Sequence, residues 1–213
     1  MIKRALIIGS GEVHDPIQLK EEASKHDFVL CADGGIKHTY DLDIHVDLII
    51  GDLDSVDKKF DDYISRHQIP VEKYPIEKNA TDVELAIDYL VEQEFKVITF
   101  MGVLGGRIDH TLANIFLLKS LAKRNIIGRI VDDKNVVYYS DDTLNLTKKD
   151  GFYVSLVPLS EAGIIVTLSG FYYTLKKEHI PLGSTHGISN YIVDHEGTIS
   201  IHDGAALVIE SKD

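Results

Sequence analysis

From Lys3 to about Leu121, short apolar runs alternate with stretches of helical period, the way strand-helix-strand units of a parallel sheet read. The runs predict strands near residues 5–8, 28–32, 48–50, 71–74 and 97–101, with helices between them. The clearest helix starts at Thr81: Thr81 and Glu84 make a capping box, and Val83, Ala86, Ile87, Leu90 and Val91 form one apolar stripe. A second is expected from about Asp109 to Lys123, after the fifth strand.

After Asn125 the pattern changes to short β-rich runs separated by turn signals at Asp150-Gly151, Ala162-Gly163, Ser169-Gly170, Glu196-Gly197 and Asp203-Gly204. Residues 152–157, 164–168, 188–193 and 205–209 are expected to pair as antiparallel strands of a small sandwich or barrel. The expected fold is α/β: a Rossmann-like, mostly parallel sheet with flanking helices over residues 1–126, then an antiparallel β-sandwich over 127–213. The boundary falls between Asn125 and Asp142, and residues 129–131 can close either half.

Composition narrows the function classes. A chain of 213 residues with 44% hydrophobic content has ample material for real cores. A net charge of -12 argues against a nucleic-acid binder, because phosphate backbones are held by surplus Lys and Arg. An anionic substrate would need a metal or a local basic patch. Cys31 sits in an apolar run and reads as a small buried hydrophobe. A strand-like run follows Met1 directly, and no stretch approaches the roughly 20 apolar residues of a membrane span, so a cytoplasmic protein is expected.

The position of the carboxylates is the informative feature. Asp33 follows the second strand, Asp52 and Asp54 the third, Asp82 opens the helix after the fourth, and Asp109 follows the fifth. In an open parallel sheet all strand carboxyl ends share one edge, where ligands bind. Crowded acids repel, so their convergence points to a cation, and an oxygen-rich site without clustered Cys or His suits Mg²⁺, hence phosphate. In Gly51-Asp52-Leu53-Asp54-Ser55, residues two apart in extended chain face the same way, so both acids can address one ion. Taken singly, each Asp has an ordinary use as a turn former or helix cap, and it is the repetition that tips the balance.

Gly105-Gly106-Arg107 precedes a helix, where backbone N–H groups and a guanidinium suit phosphate oxygens; an acid such as Asp109 is the other candidate partner of Arg107. Gly9-Ser10-Gly11 reads as a tight turn bordering a nucleotide, since it lacks a complete dinucleotide or P-loop fingerprint. The ten histidines are scattered, and His110 and His186 read as neighbours of a site or surface groups rather than ligands.

Ala32-Asp33-Gly34-Gly35, Gly51-Asp52-Leu53-Asp54-Ser55, Glu77-Lys78-Asn79-Ala80-Thr81-Asp82, Gly105-Gly106-Arg107-Ile108-Asp109-His110 and Ser189-Asn190 resemble, in that order, the motifs of thiamine pyrophosphokinases. The resemblance spans nearly the whole chain and implies an α/β catalytic domain followed by a thiamine-binding β-sandwich. It implies Mg²⁺ and ATP phosphates at Asp52, Asp54 and Asp82, with Asp33, Lys78, Arg107 and Asp109 at the nucleotide. It further implies thiamine contacts at Tyr173, Ser189 and Asn190, and a homodimer with active sites at the subunit interface. Asn79 departs from the pattern, where an acid is expected in many relatives. The rival readings are a pyrophosphokinase for another hydroxymethyl heterocycle such as a pterin, a non-catalytic nucleotide or thiamine sensor, and a purely structural sandwich. Tyr173 with Ser189-Asn190 favours thiamine over the first, and the full acid set speaks against the other two.

Overall fold

The computed structural model describes residues 2–51, 58–74 and 80–213, so Asp52, Asp54 and Lys78 lie outside the described residues. The chain forms two compact units, Met1–Asp133 and Lys134–Asp213. In the first, the elements are β1 (Arg4–Ile8), α1 (Pro16–Ser24), β2 (Phe28–Ala32), a 3-10 turn (Asp33–His38), β3 (Leu48–Ile50), α2 (Lys58–His67), β4 (Val71–Glu72), α3 (Asp82–Glu92), β5 (Val97–Met101), α4 (Ile108–Lys123) and β6 (Ile127–Val131). In the second they are β7 (Asn135–Ser140), β8 (Thr143–Thr147), β9 (Tyr153–Pro158), β10 (Ile164–Ser169), β11 (Leu175–Ile180), β12 (Glu196–Asp203) and β13 (Ala206–Ser211).

The first unit's strands are all parallel, in the order β4-β3-β2-β1-β5-β6. Parallel strands need both faces covered. Ala5, Leu6, Ile7, Ile8, Leu30, Ile49, Ile50 and Ile98 are accordingly fully buried, with Phe100 between them. The five expected strands are present, although β4 stops at Glu72 rather than Tyr74. β4 is the edge strand and meets a partner of only three residues, pairing Val71 with Ile49 and Glu72 with Ile50. The run at 129–131 belongs to β6, which pairs with β5 from Val97↔Ile127 to Phe100↔Ile130.

Helix starts follow their caps. Asp15 accepts the N–H groups of Ile17 and Gln18, with Pro16 opening α1, and the Thr81 hydroxyl accepts the Glu84 N–H at 3.2 Å to open α3. Cys31 is buried, as its apolar surroundings imply, and desolvation pushes its thiol up to about 12.

A partly buried polar chain, with Glu22 and Thr99 at its buried centre, ties α1 to β5 and β6. Arg129 donates to Glu22 Oε2 (2.7 Å) and, through Nε, to the Thr99 hydroxyl (3.2 Å). Thr99 Oγ1 lies 2.8 Å from His26 Nε2, and His26 Nδ1 lies 2.6 Å from the Glu22 carbonyl. The carbonyl accepts only, so Nδ1 carries the proton and Nε2 accepts from Thr99. Lys25 completes the cluster by pairing with Glu22 Oε1.

The second unit packs the antiparallel trio β7-β13-β9 with the antiparallel sheet β11-β10-β12-β8. Alternate residues point inward with the period of a half-buried strand. Val154 and Leu156, Val166 and Leu168, Ile199 and Ile201, and Ala206 and Val208 share one core with Phe171 and Ile192. Two expectations are corrected here. Residues 188–193 make no strand: only isolated bridges at Val154↔Asn190 and Phe171↔Ile192 form, because Ser189 has φ 61° and breaks the extended run. Glu196-Gly197 is the start of β12 rather than a turn; a Cβ on Gly197 would stand 2.7 Å from the Phe171 ring, so this glycine serves core packing.

Burial holds the His26 imidazole below its ordinary 6.5, against the raising influence of Glu22 and with Arg129 and Arg4 acting in the same direction as burial. The unfolded chain therefore takes up a proton that the fold resists. This contribution to stability is intact above pH 6.5 and is lost as pH falls from there through the lowered folded value. Denaturant midpoints should drop between pH 7 and pH 5, and His26→Gln should reduce that dependence; an unchanged slope in the variant would remove His26 as its source.

Candidate active site

In the order β4-β3-β2-β1-β5-β6 the sequence direction reverses between β1 and β5, and right-handed crossovers send the chain from two such strands to opposite faces of a sheet. Such a switch point opens a crevice at the strand carboxyl ends. A cleft of about 720 Å³ occupies it, walled by residues 9–12 after β1 and 102–107 after β5.

The two loops meet through their main chains. The Gly9 N–H donates to Met101 O at 2.8 Å and the Gly11 N–H to Gly102 O at 2.7 Å. A Cβ on Gly11 would stand 2.6 Å from both Gly102 O and Leu104 O, and Gly102 itself has φ 64°. Side chains are excluded from this seam by space, which explains a Gly-x-Gly that matches no phosphate fingerprint. Two side chains of the 3-10 turn brace the first loop, one a cation and the other an imidazole that burial holds below its ordinary value. Lys37, on the 3-10 turn, donates to Ser10 O at 2.6 Å, and His38 Nε2 lies 2.8 Å from Gly11 O.

Asp33 and Asp82 both line the cleft, one at the head of the 3-10 turn and one in the first turn of α3. A Cβ on Gly51 (φ 152°) would stand 2.9 Å from Asp33 Cα, so the end of β3 lies against the Asp33 backbone. Asp52 and Asp54 follow directly in sequence.

Arg107 resolves toward its acid partner. Its Nε donates to Asp109 Oδ1 at 3.2 Å and its terminal nitrogen to Oδ2 at 2.5 Å, on the exposed rim where Arg107 lines the cleft. The guanidinium holds the Asp109 carboxyl down at about 2, so the pair is ionised throughout the physiological range. Asp109 itself is not among the cleft-lining residues.

Sequence reasoning missed the residues that fix the second loop. Thr111 Oγ1 accepts the Gly105 N–H and donates to the Gly105 carbonyl, both at 3.2 Å, and Asn114 Nδ2 donates to Val103 O at 2.7 Å. With His110 they form one polar face of α4 at three- and four-residue spacing, a legible signal in an otherwise apolar helix. Lys37 gave no signal, since nothing local marks a lysine in a 3-10 turn as facing the neighbouring loop.

The second unit has its own cavity, of about 550 Å³, with an apolar floor of Leu156, Leu168 and Ile199. Tyr172, Tyr173, His186 and Asn190 line it, while Ser189 does not. Tyr173 is 62% exposed, so its ring is open to a ligand. Tyr172 stacks on Tyr191 with ring centroids 4.9 Å apart and meets Tyr173 edge-on. Ser189 is exposed, and its N–H donates to the Ser155 hydroxyl at 3.0 Å.

The family model "Thiamin pyrophosphokinase, catalytic domain" matches residues 19–128, and "Thiamin pyrophosphokinase, vitamin B1 binding domain" matches 142–205. A thiamine pyrophosphokinase of Bacillus subtilis is 36% identical over 165 residues, covering 76% of this chain and 77% of that protein. Solved thiamine pyrophosphokinase structures from Bacillus subtilis and Geobacillus thermodenitrificans superpose with TM-scores of 0.89 and 0.86, each at 30% identity over 99% of this chain and 100% and 98% of theirs. The cleft and the aromatic cavity each fall within one of the two matched regions, apart from the residues 9–12 that precede the first, and the chain belongs to the thiamine pyrophosphokinase family, a family of transferases.

Proposed function

We propose that this chain transfers the pyrophosphoryl group of ATP to the hydroxyl of thiamine, releasing AMP and thiamine diphosphate. One observation carries the reading: the cleft at the β1/β5 switch gathers the carboxylates Asp33 and Asp82 together with the cations Lys37 and Arg107. A metal-bound triphosphate needs both signs of charge in one place.

The donor set fits Mg²⁺ in kind, being carboxylate oxygen rather than thiolate or clustered imidazole. Among the described residues no three His, Cys, Asp or Glu stand close enough to hold an ion, so Asp82 would need Asp52 and Asp54 to complete the site. Bound there, Mg²⁺ would offset phosphate charge. Arg107 is held by Asp109 through two of its five N–H groups, which leaves donors for phosphate oxygens, and Lys78 and Lys37 add positive charge. Asp33 borders the nucleotide. The thiamine oxygen forms a bond to the β-phosphorus as the bond from that phosphorus to the α,β-bridging oxygen breaks, and the hydroxyl proton passes to a carboxylate of the cluster. Phosphoryl chemistry of this kind depends on positioning and electrostatics, so no strong base is required.

The unit Met1–Asp133 thus carries catalysis and the unit Lys134–Asp213 holds thiamine. Tyr173 offers an aromatic face to the cationic heterocycle, and Asn190, next to Ser189 in the same turn, borders the cavity that would take its pyrimidine. The proposal includes a homodimer with active sites at the subunit interface. In support, Ile108, Leu112 and Phe116 on α4 are 67%, 47% and 50% exposed at four-residue spacing, an apolar stripe suited to a second copy. A cytoplasmic setting supplies ATP and agrees with a single buried free thiol.

Incubation with ATP, Mg²⁺ and thiamine should yield thiamine diphosphate and equimolar AMP by mass, with EDTA abolishing both. ADP with thiamine monophosphate would instead overturn the point of attack. Asp82→Asn should lower kcat by at least about a hundredfold without moving the melting temperature. Mixing inactive Asp82→Asn with Tyr173→Ala should restore activity if each site draws on both subunits, since one site of the mixed dimer is then intact. No recovery from demonstrably mixed dimers would place each site within one subunit.

A further inference from the structure

The Asn190 side chain is committed to the main chain of the residue beside it in space. Its Oδ1 accepts the Tyr173 N–H at 3.0 Å and the Tyr191 N–H at 2.9 Å, and its Nδ2 donates to the Tyr173 carbonyl at 2.8 Å. Two N–H groups converge on Oδ1, which fixes the amide's orientation. An asparagine amide has two acceptor sites and two N–H donors, so a single N–H remains. The residue is also only 8% exposed, against 62% for Tyr173. Asn190 is in turn anchored to β9: its N–H donates to Val154 O at 3.0 Å and its carbonyl accepts the Val154 N–H at 2.7 Å.

The amide therefore plays the part of a neighbouring strand for Tyr173, satisfying both of its main-chain polar groups where no ladder exists. The Tyr172 N–H bonds the Tyr191 carbonyl at 2.9 Å, and the Tyr172 ring lies between those of Tyr191 and Tyr173. Main chain and rings of residues 172–173 are thus both registered on residues 190–191.

We propose that Asn190 is a positioning residue that acts on thiamine through Tyr173, setting the aromatic wall of the cavity rather than serving chiefly as a contact of its own. This rests on the reading of the cavity as the thiamine site. A direct contact and an indirect one differ in how their losses combine.

The test is a double-mutant cycle of Asn190→Ala and Tyr173→Ala, read as KM for thiamine and ATP, as kcat, and as thiamine affinity by calorimetry. Each single variant should raise the thiamine KM about tenfold, the equivalent of about 1.4 kcal/mol, while the ATP KM moves less than about twofold. The double variant should match Tyr173→Ala alone, because nothing is left for Asn190 to position. Losses that multiply would overturn the proposal in favour of an independent contact, and an equal rise in the ATP KM would reduce Asn190 to a general structural role. If Asn190→Ala does not fold, Asn190→Asp carries the same cycle, since its carboxylate still accepts both N–H groups. A wild-type protein that binds thiamine without converting it would sink the kinase reading, and the calorimetric cycle would still decide the role of Asn190.

Discussion

The main-chain seam between the loops after β1 and β5 sets the shape of the first unit's cleft. Backbone amides of residues 9–12 donate to carbonyls of residues 101–104 at 2.7–3.4 Å, too close for any side chain to intervene. Glycines 9, 11 and 102 are the cost of that closeness, since each loses more backbone entropy on folding than another residue would. The gain is a cleft whose floor is main chain held by the sheet, leaving its charged groups to be supplied from separate elements. Asp33 and Lys37 come from the 3-10 turn, Asp82 from α3 and Arg107 from the cap of α4. Thr111 and Asn114 then tie the second loop to the body of α4, so the rim that carries Arg107 is fixed at both ends.

The sandwich unit solves the same problem by other means. Its cavity is bordered by residues 171–174, 186–188 and Asn190, which are not strands, and backbone groups of this stretch are satisfied by side chains as well as by isolated bridges. Ser155 takes the Ser189 N–H and Asn190 takes both polar groups of Tyr173. Irregular backbone is thereby held as firmly as sheet while its side chains face outward. That is why three tyrosine rings pack against one another at an open surface without being buried in the core.

What the sequence made legible follows from how local each signal is. The parallel strands were readable because burial on both faces makes each run continuously apolar, as at Ala5, Leu6, Ile7 and Ile8. Of the five carboxylates, Asp33 and Asp82 share the cleft because topology sends their strand ends to one edge, Asp109 is turned to Arg107 instead, and Asp52 and Asp54 lie outside the described residues. The misses are non-local. Ile188, Tyr191, Ile192 and Val193 have strand composition, yet the left-handed φ at Ser189 and the Asn190 clamp forbid a strand there. Gly197 resembles a turn former until Phe171 is placed over it. Lys37 acts only through a loop that lies distant in sequence, so no spacing rule finds it.

A net charge of -12 and a polyanionic substrate are in tension only at long range. At physiological ionic strength charges separated by more than about 8 Å are largely screened, so the chain's many surface acids say little about what one cleft will hold. What counts is the local set. Lys37 and Arg107 are both fixed by protein acceptors, Ser10 O and Asp109, and so need little further ordering to meet a phosphate. The acids that accompany them would repel a bare triphosphate. The proposed magnesium would reconcile the two, since a triphosphate that arrives with a divalent cation meets carboxylates as ligands rather than as repelling charges.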